Sequence, residues 1–215
     1  MEAQEMATNI RLFYGEVLAC NLGCQGIVRD PQRGFMPRGM WYYGNLRECE
    51  LLVIGKNPGH PAFCETGLYK DQSKWLQNYE KFILTNVISE NANFTSFHIR
   101  LYRYIEYILS CKQSGIWDRC AMTNLVKCST LGEQDRLKMN TVMKCGNTWL
   151  AKEIEILGAK RILCLGNEAY DGMVSLLGSS SIKANVAKIK HPSYPIKKED
   201  EIAVLNAVKS ILFKS

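Results

Sequence analysis

Short apolar runs alternate along the chain with longer segments in which apolar residues recur at helical spacing. The runs have the length of buried strands, and turn-forming residues bound them. Strands are therefore predicted at residues 51–55, 120–124 and 161–166. A fourth is predicted at residues 185–190, where apolar and polar residues alternate as in an edge strand.

The segments between these runs predict helices. Apolar and aromatic residues recur from Trp75 to Val87 and from Phe94 to Leu109, a spacing typical of helix faces packed on a sheet. Further helices are expected around residues 140–158, 167–178 and 198–213. Strands that alternate with helices predict an α/β fold in which a mostly parallel sheet is covered on both faces.

Length and composition indicate an ordinary globular protein. The chain has 215 residues, of which 47% are hydrophobic and 22% charged, so a single domain over residues 1–215 is expected. The chain has no apolar stretch of about 18 residues, the length that would predict a membrane span. Its first residues have no basic and apolar signal segment, so a cytoplasmic monomer without membrane contact is expected.

The charge balance bears on possible partners. The chain carries 27 basic and 21 acidic residues, a net charge of +6. This suits a polyanion such as DNA, although an unremarkable basic surface explains it as well.

Polar clusters follow the predicted strands. Residues 55–61 come after the first strand, Asn124 ends the second, residues 166–168 end the third, and residues 191–194 follow the fourth. Because ligands of open α/β sheets bind beyond the carboxyl ends of the strands, we expect these clusters to form one site.

Each cluster alone leaves alternatives open. Asn57 could orient a water, contact a base or only cap a turn. The turn at His191, with Ser193 and lysines such as Lys190 around it, could bind a backbone phosphate or form a solvated basic edge.

Nine cysteines are many for a chain without a signal segment. Cys20, Cys24, Cys128 and Cys145 form two groups that could hold a zinc ion or an iron–sulfur cluster. Disulfides are not expected in a reducing compartment. Cys120 and Cys164 lie in predicted strands and are expected to be core thiols.

These segments together resemble the uracil-DNA glycosylase superfamily from about Cys20 to Tyr194. Gly55-Lys56-Asn57-Pro58-Gly59 is similar to the first motif, and His191-Pro192-Ser193 is similar to the second catalytic motif. The segment from Thr123 to Cys128 is most similar to the iron–sulfur branch, families 4 and 5. The stretch from Cys145 to Ala169 follows the helix and strand of that branch.

The resemblance implies a four-stranded parallel sheet in a three-layer α/β/α sandwich. It also implies that the enzyme flips a uracil or another modified or damaged base out of DNA and hydrolyses its N-glycosidic bond. A [4Fe–4S] cluster would be bound by Cys20, Cys24, Cys128 and Cys145, with zinc as the alternative.

The resemblance assigns roles to individual residues. Asn57 and His191 would be catalytic. The base would be bound by Tyr69, Asn124, Gly55 and, as a weaker candidate, Phe63. The DNA would be contacted by Pro58, Gly59, Ser193, Tyr194 and Lys190.

The chain departs from the iron–sulfur branch in two ways. The first cysteine pair has three intervening residues instead of two, which bears on the cluster. The first motif carries Asn57, as in the mismatch-specific and single-strand-selective branches, which leaves the substrate open. The target is therefore uracil, hypoxanthine or a modified base, including one in foreign phage DNA. Two other functions are a DNA- or nucleotide-binding module of the same fold without catalysis and a zinc-stapled regulatory protein.

Overall fold

The computed structural model describes residues 11–40, 49–85, 95–132 and 135–214. Four short strands form one parallel sheet in the order β2-β1-β3-β4. The predicted sheet is confirmed, except that the third and fourth strands end one residue earlier than predicted. The strands are β1 (Leu51–Gly55), β2 (Cys120–Asn124), β3 (Arg161–Leu165) and β4 (Asn185–Ile189).

Helices cover both faces of the sheet. Residues 11–18 are helical and are called α1. The other helices are α2 (Trp75–Ile83), α3 (Ser96–Leu109), α4 (Ile116–Arg119), α5 (Met139–Cys145), α6 (Ala151–Leu157), α7 (Asn167–Gly178) and α8 (Lys198–Leu212).

The predicted helix over 140–158 is divided in the structure. A π-helical turn at Gly146–Leu150 lies between α5 and α6. The helical spacing predicted through Val87 and from Phe94 falls partly outside the described residues, because those two residues are not described. Within the described part of the chain, no helix is both long and apolar enough to span a membrane.

The sheet separates two apolar clusters, which makes the fold a three-layer sandwich. Leu51 and Val53 of β1 belong to the cluster that includes residues of α2, α3 and α8. Leu52 and Ile54 belong to the cluster that includes residues of α1, α5, α6 and α7. Since both faces of β1 are buried, this central strand is a continuous apolar run.

The strand order creates a crevice at the carboxyl ends of the strands. β2 pairs with one side of β1, and β3 pairs with the other. The connections that follow the two central strands therefore leave in opposite directions, which is the arrangement at which open α/β sheets bind ligands.

Candidate active site

Gly55 and Asn124 close the carboxyl ends of β1 and β2. The two residues are register partners, and the N–H of Leu125 donates to the Gly55 carbonyl at 2.8 Å. A Cβ placed on Gly55 would lie 2.6 Å from Asn124 Oδ1. Glycine is needed here because the Asn124 side chain occupies the space beside it.

Asn124 is buried at the edge of the crevice, with 5% of its surface exposed. Its carbonyl accepts a hydrogen bond from Lys127 Nζ at 2.8 Å. No other described residue hydrogen-bonds to its side-chain amide. A buried amide normally has a partner, so this one is suited to bind a ligand.

The turn after β1 orients the Asn57 amide. Nδ2 of Asn57 donates to the Pro58 carbonyl at 3.1 Å and to Thr130 Oγ1 at 3.4 Å. Its Oδ1 is therefore the atom left to accept a hydrogen bond from a water. Pro58 is buried and Gly59 is exposed.

The turn after β4 fixes the tautomer of His191. The Ser193 N–H donates to His191 Nδ1 at 3.3 Å, and the Tyr194 N–H donates to the His191 carbonyl at 2.8 Å. Burial lowers the pKa of His191 below its ordinary 6.5, and the charge of Lys56 lowers it further. His191 is therefore neutral at pH 7, with its proton on Nε2.

Helix α3 supports the His191 turn. The ring centroids of Phe97 and His191 are 5.2 Å apart, and the Arg100 guanidinium donates to the Pro192 carbonyl at 2.6 Å. Sequence reasoning did not identify these two residues as part of the site. Phe97 belongs to the apolar stripe that predicted the helix, and the stripe does not reveal which residue lies beside His191.

Lys56 joins the turn after β1 to the start of α7 and to the loop after β2. Its Nζ lies 3.2 Å from Glu168 Oε1 and also donates to the Asp135 carbonyl. Gly166, which begins the turn after β3, is close to His191: a Cβ built on it would lie 3.6 Å from His191 Cβ. Lys56 was part of the first motif, but its contacts with α7 and the loop after β2 were not predicted.

The structure therefore brings Gly55, Asn57, Asn124 and His191 to the same end of the sheet, where the strands have their carboxyl ends. The residues predicted to contact DNA lie around the same turns. Lys190, Ser193 and Tyr194 are exposed, and Lys190 Nζ donates to the Pro195 carbonyl at 3.1 Å.

The two aromatic residues predicted to stack on a base lie in opposite environments. Phe63 is 95% exposed, whereas Tyr69 is 1% exposed and belongs to the main core cluster. Burial raises the pKa of Tyr69. The hydroxyl of Tyr69 has no hydrogen-bond partner among the described residues. This placement does not favour a stacking role for Tyr69, because its ring presents no free face.

The four cysteines of the predicted cluster lie near one another. Burial, together with the neighbouring Cys145, Cys20 and Cys24, raises the pKa of Cys128 to about 12. Burial raises the pKa of Cys145 to about 11; Lys127 opposes this shift, and Cys24 and Cys20 contribute to it. All four sulfurs thus share one region.

Two N–H groups point at these sulfurs. Trp149 Nε1 donates to Cys20 Sγ at 3.2 Å, and the Lys127 N–H donates to Cys145 Sγ at 3.3 Å. Such donors suit a thiolate ligand. Within the described ranges, however, no three His, Cys, Asp or Glu side chains are arranged to hold a single metal ion.

The family model described as the uracil DNA glycosylase superfamily matches residues 41–209. A search of curated proteins found no match.

Proposed function

Because the chain belongs to the uracil DNA glycosylase superfamily, we propose that it excises uracil or another modified base from DNA and leaves an abasic site. The observation that carries this proposal is the convergence of Asn57, Asn124 and His191 at the switch point of the sheet. These side chains supply a water-orienting group, a base reader and a neutral hydrogen-bond donor.

The DNA duplex must first release the target nucleotide. Extruding a base costs a few kcal/mol, and contacts to the backbone offset part of that cost. Ser193, Lys190 and the glycine-containing turn at Pro58 and Gly59 are exposed or adjacent to the site and can contact phosphates. Tyr194 is exposed on the same turn as Ser193 and would fill the gap left in the base stack.

Asn124 reads the edge of the flipped base. Its amide offers both a donor and an acceptor, and it has no competing hydrogen bond from another described residue. Uracil carries a carbonyl group at the position where cytosine carries an amino group. An amide held in one orientation can therefore distinguish the two bases.

His191 stabilises the departing base. Cleavage of the N-glycosidic bond leaves negative charge on the base, and Nε2–H of a neutral imidazole can donate to its oxygen. A preorganised donor of this kind contributes about 3 kcal/mol to catalysis. The Ser193 N–H on Nδ1 keeps the imidazole in the required tautomer.

Asn57 orients the attacking water. Its Nδ2 is held by Pro58 and Thr130, which leaves Oδ1 to accept from water. An amide cannot take up the proton, so the water would add to the oxocarbenium-like sugar after the glycosidic bond breaks, and its proton would pass to the departed base anion. We therefore expect slower excision than in an enzyme with a carboxylate at this position.

The residues Cys20, Cys24, Cys128 and Cys145 fit an iron–sulfur cluster. Their mutual proximity and the two N–H···S contacts support this assignment. The cluster would supply structure, joining the segment around Cys20 and Cys24 to the body of the protein, and it would take no part in bond cleavage. Zinc is the alternative that metal analysis would reveal.

An excision assay tests the function. The protein is incubated with oligonucleotides that each carry uracil, hypoxanthine or another modified base, in single and double strands, and the released base is identified by mass. We expect release of uracil or a related base with an alkali-labile product. Binding to every oligonucleotide without release would instead show a non-catalytic DNA-binding module.

A further inference from the structure

A completely buried ion pair lies directly behind the base-reading residue. Lys127 and Glu153 are both 0% exposed, and Lys127 Nζ lies 2.5 Å from Glu153 Oε2. Lys127 stands in the loop after β2, between Asn124 and Cys128, and Glu153 lies in α6.

All three N–H donors of the Lys127 ammonium are used. They point to Glu153 Oε2, to Thr123 Oγ1 at 2.7 Å and to the Asn124 carbonyl at 2.8 Å. The Thr123 hydroxyl in turn donates to Glu153 Oε2 at 2.7 Å. The ammonium is thus saturated, and its position is fixed by three acceptors from two elements.

Burial of two charges is a costly way to fill this space. An apolar pair of similar volume is often as stable as a buried ion pair, or more stable. The charged pair is therefore better explained by the position that it imposes on its neighbours than by the stability that it adds.

The neighbour with a function is Asn124. Its carbonyl is held by Lys127 on one side, and the next N–H in the chain, that of Leu125, is held by Gly55 on the other. With its peptide held at both ends, Asn124 directs its amide over Gly55. The Lys127 N–H also donates to Cys145 Sγ, so one residue contacts both the base reader and the cysteine group.

We propose that Lys127, held by Glu153, is a positioning residue that sets the orientation of the Asn124 amide and so the discrimination between uracil and cytosine. This inference rests on the proposed glycosylase function. It assigns to the buried pair a role in specificity that a purely stabilising pair would not have.

The test replaces the pair by apolar residues in K127M/E153L. The variant avoids the unpaired buried charge that a single replacement would leave. We expect it to fold with a melting temperature close to that of the wild type. We expect kcat/KM on a uracil oligonucleotide to fall between about tenfold and a hundredfold, because small misplacements near the reacting groups have effects of that size. The ratio of uracil to cytosine excision should fall with it.

A matched control replaces the Arg119–Glu50 pair. This pair lies at the amino-terminal ends of β1 and β2, where Arg119 Nε donates to Glu50 at 2.6 Å. R119M/E50L should keep the uracil-to-cytosine ratio of the wild type. A folded K127M/E153L variant that keeps the wild-type ratio would overturn the proposal.

A second variant tests the proposal if the K127M/E153L variant does not fold. In K127Q/E153Q the site stays polar, but glutamine is one atom shorter than lysine and does not reach the Asn124 carbonyl. Its uracil-to-cytosine ratio should also fall, and a wild-type ratio would overturn the proposal. If the wild type releases no base from any oligonucleotide, the proposed function fails, and that failure is separate from the role of Lys127.

Discussion

Gly55 faces Asn124 so closely that a single methyl group would displace the Asn124 amide: the added Cβ would lie 2.6 Å from Oδ1. The contact is possible because the two residues pair in register at the ends of β1 and β2. The most buried part of the candidate site therefore depends on the absence of a side chain.

Gly55→Ala should impair base recognition while the protein remains folded. Overpacking of this kind costs about 1–3 kcal/mol, so the protein should remain folded, while displacement of Asn124 should abolish most uracil excision. Thermal unfolding and excision kinetics measure the two effects. Gly178→Ala is the control, because a Cβ there meets nothing within 4 Å. If the Gly55→Ala variant excised uracil at the wild-type rate, the Asn124 amide would not read the base.

His191→Ala should slow base release by about a hundredfold to a thousandfold, the usual effect of removing a preorganised donor. Binding to an uncleavable uracil oligonucleotide should change much less, because the donor acts mainly on the developing anion. His191→Gln, which keeps a neutral N–H donor, should recover part of the rate. Equal rates for the alanine variant and the wild type would remove His191 from the mechanism.

Asn57→Asp should raise the rate of uracil excision, since a carboxylate can both orient the water and accept its proton. Asn57→Ala should lower the rate because the water loses its acceptor. Single-turnover kinetics at pH 7 to 8 compare the three proteins. An aspartate variant slower than the alanine variant would contradict the proposed role of Asn57.

Protonation of His98 and His191 should couple stability to pH. Burial lowers the pKa of both residues from 6.5. The unfolded chain takes up these protons near pH 6.5, whereas the folded protein takes them up only at lower pH. Their effect is therefore absent above pH 6.5, and stability is lost as the pH falls from 6.5 through the lowered values.

Urea unfolding at pH 7.5 and pH 5.5 measures this coupling. Other groups titrate in the same range, so the comparison is between the wild type and His191→Asn. The variant should lose less stability than the wild type over this interval. An equal or greater loss would show that the pKa of His191 is not lowered by folding.

Cys128→Ser should remove the visible absorbance and the iron of the protein and lower its melting temperature. Cys128 is buried among Cys145, Cys20 and Cys24, so its replacement would remove one ligand of the proposed cluster. Cys64→Ser is the control, because Cys64 is exposed. Metal analysis that finds zinc, or finds no metal in the purified wild type, would contradict the iron–sulfur assignment.

The sheet and the polar turns could be predicted from sequence because they depend on local patterns. The apolar runs placed β1 and β2 within their observed bounds, and the rule for parallel sheets brought Asn57, Asn124 and His191 to one edge. These inferences require only the period of the apolar residues and the chain direction of the strands.

The supporting residues could not be predicted because their partners are distant in the chain. The contact of Phe97 with His191 and the pairing of Lys127 with Glu153 depend on how whole helices pack on the sheet. Tyr69 was assigned to the base-binding site by the family resemblance, which does not show which way a short loop directs a ring. The structure places that ring in the core.

The position of β4 in the sheet also determines which fragments of the chain can contain the complete candidate site. His191 follows β4, which pairs only with β3 at the margin of the sheet, while Asn57 follows β1 at its centre. A truncated chain that lacks the final strand also lacks His191, so it cannot complete the candidate site. Fragments that end before residue 185 should therefore release no base, however well they fold.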